Sequence, residues 1–169
     1  MNELHKEGVY ICTDISYRYN LWDGEETAIR VTNEALRFTD LVKCSEEEAR
    51  LMTGCEDLTE AAKFFTGLGC SLCVFTCGEN GAYYYMNEEC GMVPPFQVEV
   101  VDTTGAGDAF LGGFLYRLMQ LDSPRDVTPK MLPQMLRFGN AAGALNIRQK
   151  GGIEGAPTLE EAMVMMESS

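Results

Sequence analysis

The sequence has few basic residues and no long apolar segment. Thirteen lysines and arginines stand against 26 aspartates and glutamates, and the formal net charge is −13. A chain this acidic repels phosphate backbones and anionic lipids through its long-range field, so we expect neither nucleic acid nor a membrane as partner. No stretch reaches the roughly 18 uncharged apolar residues of a membrane span. Residues 1–7 do not have the pattern of a signal peptide, and we expect a cytoplasmic protein.

Histidine is scarce as well, which bears on the cysteines. His5 is the single histidine, beside seven cysteines. An odd number of cysteines is typical of free thiols in a reducing compartment. Cys70, Cys73 and Cys77 are closely spaced, but a structural zinc site needs four ligands. Because Cys73, Phe75 and Cys77 alternate along one face of a predicted strand, we expect these thiols to be buried as small hydrophobic groups.

Internal repeats and low-complexity segments are also absent, and predicted strands alternate with predicted helices. We predict strands at residues 9–14, 40–44, 72–76, 82–86 and 98–101, with a further edge strand and a turn within residues 91–95. Helices are predicted at residues 25–38, 46–53, 58–68, 109–121, 131–147 and 158–166. This alternation predicts an α/β fold with a doubly wound, mostly parallel sheet, flanking helices and an antiparallel edge. The length and the 46% hydrophobic content suit one well-filled core, so we predict a single domain over residues 1–169.

A glycine-rich turn lies between the valine-rich residues 98–101 and a run with helical spacing. Gly105, Ala106 and Gly107 would present backbone N–H groups at the positive end of a helix, which can bind a phosphoryl group. Asp108 lies in the same turn, where a carboxylate can take the proton of a hydroxyl that attacks the phosphoryl group. The alternative is a first-turn acid that stabilises the helix dipole by about 0.3–1 kcal/mol.

Residues 102–110, DTTGAGDAF, resemble the C-terminal signature of the PfkB, or ribokinase-like, family of carbohydrate kinases. The resemblance extends from Val9 to the C-terminus and is similar to the fructokinase-like or 2-keto-3-deoxygluconate-kinase-like branch. It implies a Rossmann-like fold, ATP and Mg²⁺ as cofactors, and a small sugar as substrate. By the resemblance Asp108 is the general base, and Gly105, Ala106 and Gly107 form the anion hole.

The segment 14–22, DISYRYNLW, is similar to a segment of that branch, whose members usually have Asn where Ser16 stands. It follows a predicted strand, and the carboxyl ends of parallel strands line the ligand crevice. The resemblance makes Asp14 and Arg18 candidate substrate-binding residues, with the Arg18 guanidinium near substrate or nucleotide phosphates. A surface arginine paired with a neighbouring acid is the competing interpretation of Arg18.

Ser45 and Glu48 have the spacing of a capping box at the start of a predicted helix, which by itself explains both residues. The family has Asn-x-x-Glu here, associated with the metal and phosphate environment, and Ser45 stands in the place of the Asn. The resemblance therefore implies that Glu48 organises the magnesium ion without ligating it directly.

Further nucleotide contacts are implied by the resemblance alone. Thr76, Gly78 and Gly81 match a Thr-x-Gly-x-x-Gly turn that borders the nucleotide phosphates in the family. The same residues also form a strong hairpin signal, and both interpretations can hold together. Asn140 matches a position near the adenine, and Gly151 lies in the loop that closes the base pocket. For residues 141–145, core packing is the better interpretation.

A monovalent-cation site is implied at the same loop. Asp102 and Thr104 match residues that border this site in the family, and Thr104 also belongs to the predicted nucleotide pocket. Gly155 stands where the family often contributes an oxygen ligand. Potassium is the cation that we expect there.

Two other phosphate-binding motifs are disfavoured. A dinucleotide-binding loop needs a third glycine, but Phe110 stands at that position, and no acidic ribose reader follows at the expected offset. No Gly-Lys-Ser/Thr of a Walker loop occurs in the sequence. A non-catalytic nucleotide-binding or oligomerisation module that keeps the fold is the alternative function.

The resemblance covers the C-terminal half of a sugar kinase, and the family's N-terminal part, with its small β lid and most sugar contacts, has no counterpart here. A shortened expression product, proteolysis, an incorrect gene boundary or a separate partner chain would each explain this. We expect little or no kinase activity from the isolated chain. Missing strands would leave an open sheet edge and an exposed apolar face, which predicts a homodimer or poor solubility.

Overall fold

The computed structural model describes residues 1–167, which form a five-stranded sheet with helices around it. The strands are β1 (Cys12–Asp14), β2 (Leu41–Ser45), β3 (Leu72–Thr76), β4 (Ala82–Met86) and β5 (Glu89–Val93). The helices are α1 (Asn2–Lys6), α2 (Glu25–Leu36), α3 (Glu46–Thr53), α4 (Leu58–Leu68), α5 (Ala106–Leu118), α6 (Leu132–Asn146) and α7 (Leu159–Glu167). Short 3-10 helices cover Tyr19–Leu21, Gly78–Asn80 and Pro124–Asp126.

The strands lie in the sheet in the order β1-β2-β3-β4-β5. The first three are parallel, with Leu41 opposite both Cys12 and Leu72. Residues 77–81 and 87–88 join β3 to β4 and β4 to β5, and connections this short require antiparallel neighbours. Asn87 and Glu88 have φ values of 50° and 63°, as a tight hairpin turn needs. The predicted α/β sheet with an antiparallel edge is confirmed.

The residues separate into two compact units, which are described one at a time. The first unit contains Met1–Cys77 and Tyr83–Gly91, and the second contains Gly78–Ala82 and the chain from Met92 onward. The single domain over residues 1–169 stays a prediction. Within residues 1–167 no helix is both long and apolar enough to cross a membrane.

The core of the first unit joins aromatic rings and thiols from the sheet and its helices. The rings of Phe75 and Tyr83 stack at 5.8 Å between centroids. Cys70, Cys73 and Cys77 belong to the same buried hydrophobic cluster. The prediction that these thiols act as small buried hydrophobic groups is therefore confirmed.

The core of the second unit is the contact between α5 and α6, which small residues allow to be close. A Cβ atom on Gly139 would lie 2.9 Å from the Phe110 ring, and one on Gly143 would lie 3.2 Å from the Ala106 carbonyl oxygen. Ala141 and Ala142 are buried on the same helix. The core interpretation of residues 141–145 is confirmed for these alanines.

The central stretch differs from the prediction at two boundaries. Residues 98–101 form no strand, and the amides of Val101 and Asp102 instead donate to the Ile147 carbonyl at 2.8 and 3.2 Å. Valine-rich sequence makes a strand only beside another strand, and the five strands of the described sheet do not include this segment. Helix α5 begins at Ala106 rather than residue 109, because Gly105, with φ of 81°, serves as its N-cap.

Strand β1 is shorter than the predicted residues 9–14. The amide of Ile11 donates to Asp40 Oδ2 at 2.8 Å, so a side chain takes the place of a strand carbonyl there. The Ile11 carbonyl still accepts from the amides of Asp40 and Leu41, at 2.9 and 3.1 Å. The first unit thus continues the pairing beyond β1 with irregular geometry.

Candidate functional site

Four of the predicted site residues lie at the carboxyl ends of the parallel strands of the first unit. Asp14 ends β1 and Arg18 follows it, Glu48 lies in the first turn of α3 directly after β2, and Thr76 ends β3. Thr76 lies opposite Ser45 in the sheet and its hydroxyl donates to the Cys44 carbonyl at 3.4 Å. The structure therefore brings these four residues to the edge where α/β proteins bind ligands.

The carboxylate of Asp14 is engaged with a buried lysine. Lys43 Nζ donates to the two carboxylate oxygens of Asp14 at 3.3 and 3.1 Å, and Lys43 is only 6% exposed. A buried ammonium group is stable only when it is paired and hydrogen-bonded. Asp14 therefore has a structural role toward Lys43, in addition to any contact with a substrate. Sequence reasoning missed Lys43, whose signal was a lysine in the middle of the apolar strand LVKCS.

Both carboxylate oxygens of Glu48 accept main-chain hydrogen bonds. Oε2 accepts from the Ser45 amide at 2.8 Å, and the Ser45 hydroxyl accepts from the Glu48 amide at 3.1 Å. These two bonds are the predicted capping box, which is confirmed. Oε1 accepts from the Tyr17 amide at 2.6 Å, which the sequence did not predict. The role of Glu48 toward magnesium stays a prediction.

Arg18 is exposed beyond the end of β1. One guanidinium nitrogen donates to the Tyr17 carbonyl at 3.3 Å. The ion pairs within residues 1–167 do not include Arg18. The structure therefore gives no support to the paired-surface interpretation, and the charge of Arg18 is available to an anion.

In the second unit, the predicted anion hole lies at the start of α5. Gly105 is the N-cap, no side chain caps the helix, and Ala106, Gly107 and Asp108 form its first turn. The Ala106 amide donates to the Thr103 carbonyl at 3.2 Å. The Ala106 amide, which the prediction placed in the anion hole, is thus engaged within the turn. Gly107 and Asp108 carry the amides that the positive end of this helix offers to an anion, and the contact of Gly105 with the anion stays a prediction. Asp108 is exposed beside them.

Asp102 and Gly151 fix the turn before α5 to the loop after α6. Asp102 Oδ1 accepts from the Thr104 amide at 2.9 Å, and Oδ2 accepts from the Gly151 amide at 2.9 Å. These hydrogen bonds, that from Thr104 first, lower the pKa of Asp102 to about 2. Gly105 packs so closely on Gly152 that a Cβ atom would lie 2.7 Å from the Gly152 Cα. The structure thus brings four predicted site residues together: Asp102, Thr104, Gly105 and Gly151.

Asn146 is a buried polar residue at this loop that sequence reasoning missed. Its side-chain nitrogen donates to the Gly152 carbonyl at 2.8 Å, while its Oδ1 atom has no partner among the described residues. A Cβ atom on Gly155 would collide with the Asn146 carbonyl, so this predicted cation-site residue lies directly against Asn146. A buried oxygen without a donor is suited to a cation or a water molecule.

Asn140 and Gly81 meet through the main chain of residues 93–95. Asn140 Nδ2 donates to the carbonyls of Val93 and Pro94 at 3.1 and 3.0 Å. Gly81, with φ of 96°, has no room for a Cβ atom beside the Val93 carbonyl, and its amide donates to the Gly78 carbonyl at 3.2 Å. Asn140 therefore holds the segment on which the predicted nucleotide turn rests. Its contact with adenine stays a prediction.

Comparison with known proteins identifies relatives that match nearly the whole length of this chain. Residues 2–159 match the pfkB family carbohydrate kinase profile. Fructokinase-1 of rice (Oryza sativa subsp. japonica) is 35% identical over 170 residues, covering 99% of this chain and 52% of the rice protein. Fructokinase-1 of Zea mays is 34% identical, covering 99% of this chain and 52% of the maize protein. The chain thus spans about half the length of these relatives.

Solved structures show the same fold. A fructokinase from Vibrio cholerae O395, bound to fructose, ADP and a calcium ion, matches with a TM-score of 0.89 and 28% identity, covering 98% of this chain and 53% of that one. The aminoimidazole riboside kinase of Salmonella enterica, in complex with aminoimidazole riboside and an ATP analog, matches with a TM-score of 0.86 and 25% identity over 98% of this chain and 55% of that one. With its helix-flanked mixed sheet and its signature turn at the start of α5, the chain belongs to the pfkB family of carbohydrate kinases.

Proposed function

We propose that this chain is the nucleotide-binding part of an ATP-dependent sugar kinase, which transfers the γ-phosphoryl group to a hydroxyl of fructose or a related sugar. The observation that carries the proposal is the start of α5, where no side chain caps the helix and an exposed carboxylate, Asp108, lies in the first turn. The fructokinase relatives support the sugar, and the nucleotide complexes among the structural neighbours support ATP.

We propose separate tasks for the residues of this turn. The amides of Gly107 and Asp108 stabilise negative charge on the phosphoryl oxygens, and the Asp108 carboxylate accepts the proton of the attacking sugar hydroxyl. Because in-line phosphoryl transfer depends mainly on positioning and charge stabilisation, few other groups are needed. Thr76 and the turn between Gly78 and Gly81 border the phosphates, and Gly151 borders the base.

Magnesium fits a site that the nucleotide itself completes. Within residues 1–167 no three His, Cys, Asp or Glu side chains gather to hold a metal ion, and Glu48 has both oxygens occupied by amides. Mg²⁺ commonly takes one or two carboxylates together with substrate phosphates and waters. We therefore assign Asp108 as the protein carboxylate near the ion. The positive charge of the magnesium ion would neutralise the phosphate oxygens.

Potassium fits the loop after α6 on different grounds. The Asn146 Oδ1 atom is buried without a donor, and the main-chain carbonyl and side-chain nitrogen of the same residue lie against Gly155. Oxygen atoms of this kind suit a weakly hydrated cation. We propose that Asp102, Thr104 and this loop hold the monovalent cation, with Asn146 as an additional oxygen donor.

Two substitutions that each remove one negative charge test the proposed function. D108N removes the carboxylate at the start of α5, and D122N removes an exposed carboxylate beyond the other end of the helix. We expect both variants to bind MgATP in isothermal titration. The turnover test uses the chain joined to the missing half of a relative, because the isolated chain is expected to have little activity. In a fructose-dependent coupled assay of this joined protein, D108N lowers turnover about 10²–10⁴-fold, and D122N leaves it unchanged. The absence of MgATP binding in the wild-type chain, or unchanged turnover in D108N, contradicts the proposal.

The isolated chain is proposed to phosphorylate fructose far more slowly than a complete relative, because it spans about half their length. MgATP binding without any turnover, even in a chain joined to the missing half of a relative, would favour the non-catalytic nucleotide-binding module. We place the kinase in the cytoplasm, where free thiols are kept reduced.

Strand β1 suggests a homodimer, because it occupies one edge of the described sheet and an edge strand can pair with another chain. Sedimentation velocity at several protein concentrations tests this, and a monomer at all concentrations contradicts it.

A further inference from the structure

The pairing of β1 with β2 stops at the point where β2 turns into a helix. Asp14 lies opposite Lys43, and the Ile15 amide donates to the Lys43 carbonyl at 3.0 Å. In a parallel ladder the next donor on this strand is the amide of Tyr17, and its acceptor would be the carbonyl of Ser45. Ser45 is the N-cap of α3, so its carbonyl accepts the first hydrogen bond of the helix instead.

A side chain provides the missing acceptor. Glu48 Oε1 accepts the Tyr17 amide at 2.6 Å, while Oε2 of the same carboxylate accepts the Ser45 amide at 2.8 Å. One carboxylate therefore ties the chain after β1 to the start of α3. A charged acceptor makes a shorter and stronger hydrogen bond than a carbonyl does.

We call the link made by Glu48 between the Tyr17 and Ser45 amides the tie. The chain after β1 has a conformation that needs it. Ile15 and Tyr17 pack against the buried cluster of the first unit, whereas Ser16 and Arg18 are exposed. Ser16 has φ of 41°, in the left-handed region that a residue other than glycine rarely adopts. Such strain persists only where neighbouring contacts determine the geometry, and the Tyr17–Glu48 hydrogen bond directly follows Ser16.

We propose that Glu48 is a positioning residue for Arg18. Its carboxylate extends the β1–β2 ladder by one step past the end of β2, and it thereby holds the exposed Arg18 guanidinium at the carboxyl edge of the sheet for a phosphate oxyanion of the nucleotide or the phosphorylated sugar. This inference rests on the proposed function for the identity of the anion. The hydrogen-bonded tie itself does not depend on it.

Two variants separate the tie from the helix cap. E48D keeps a carboxylate that can still cap the helix, as Asp126 does for the Ser123 amide at 3.1 Å, but it is too short to reach Tyr17 as well. S45A removes the capping hydroxyl and keeps the Glu48–Tyr17 hydrogen bond. We expect E48D to raise the hydrogen-exchange rate of the Tyr17 amide about tenfold, as loss of one hydrogen bond allows, and S45A to leave it unchanged.

The single tryptophan supplies a spectroscopic signature of the same loop. Trp22 directly follows the 3-10 helix Tyr19–Leu21, which begins after Arg18. Its emission maximum should shift in E48D and not in S45A, with far-ultraviolet circular dichroism showing that both variants are folded. E48Q is the second measurement if E48D does not fold. Its one carbonyl oxygen can accept from Tyr17 or Ser45 but not from both, so exchange at one of these amides rises.

A double-mutant cycle tests the link to Arg18, with MgATP as the probe in isothermal titration. If Glu48 acts through Arg18, the losses in affinity caused by E48D and R18A are not additive, and the double variant binds no worse than R18A. Additive losses, or wild-type exchange and emission in both E48D and E48Q, overturn the proposal. If the wild-type chain does not bind MgATP, the kinase proposal fails, whereas Tyr17 exchange and Trp22 emission still decide whether the tie exists.

Discussion

The amide of Gly151 donates a hydrogen bond of 2.9 Å to the carboxylate of Asp102, which lies 49 positions earlier in the chain. Together with the bond from Thr104, it holds the pKa of Asp102 at about 2, below the value of about 3.9 expected in the unfolded chain. The folded state therefore binds this proton less readily than the unfolded state. The contribution of Asp102 to stability is complete above about pH 4 and is lost as the pH falls toward 2.

D102N should consequently lower the urea midpoint of unfolding at pH 7, and the difference from the wild type should shrink between about pH 4 and pH 2. D122N, which removes an exposed carboxylate, is the matched control and should leave the midpoint unchanged at every pH. A D102N difference of constant size across this range would show that the hydrogen bonds do not favour the ionised carboxylate.

Gly105 and Gly112 provide a matched pair of glycine-to-alanine exchanges. G105A places a Cβ atom 2.7 Å from the Gly152 Cα at a φ of 81°, so it should destabilise the protein by at least about 1–2 kcal/mol. G112A lies on the exposed face of α5 with nothing within 4 Å, and it should stabilise the protein by about 0.5–1 kcal/mol. Chemical denaturation measures both. Equal effects of the two exchanges would mean that the turn can move away from Gly152.

The side-chain amide of Asn140 should stabilise the protein through the hydrogen bonds that its nitrogen donates rather than through any that its oxygen accepts. N140A loses the two hydrogen bonds to Val93 and Pro94, at an expected cost of about 1–3 kcal/mol. N140D is nearly isosteric, yet it turns an acceptor oxygen toward two carbonyls and should destabilise more than N140A does. Thermal unfolding ranks the variants. If N140D were as stable as the wild type, the amide group would not be holding residues 93 and 94.

The Lys43–Asp14 pair should behave as a buried ion pair. D14A leaves the Lys43 ammonium group buried without its partner and should cost about 3–5 kcal/mol of unfolding free energy. The double variant D14A/K43M removes both charges and should cost less than the sum of the single exchanges. K63M, which breaks the exposed Lys63–Glu60 pair, is the control and should show no measurable change. Additive losses for D14A and K43M would argue against the pair.

Local sequence signals were sufficient to predict most of the helices and strands. Ser45 and Glu48 predicted both the start of α3 and its capping box, because an N-cap and its partner lie three residues apart in any sequence. The alternation of Cys73 and Phe75 likewise predicted a buried strand face. Residues 98–101 were the exception, since strand formation depends on a neighbour that the local sequence does not specify.

The candidate site was predictable where its chemistry lies in one turn and not where it depends on distant contacts. Asp108 and Gly105 were found from nine consecutive residues. The tie between Tyr17 and Glu48 and the pairing of Lys43 with Asp14 join residues 31 and 29 positions apart, and no local periodicity marks them. Asn146 was missed for the same reason, because its carbonyl partner becomes apparent only when the loop after α6 folds back.

The buried thiols of the first unit allow opening of its core to be followed by chemical modification. Burial raises the pKa of Cys70 to about 12 and that of Cys77 to about 11, and it also raises the pKa values of Cys44 and Cys73 well above the usual range of a thiol. Since the thiolate is the reactive form, alkylating reagents and oxidants modify exposed Cys90 first and reach these four only when the unit opens. The rate at which they are modified therefore reports how readily the core of the first unit opens.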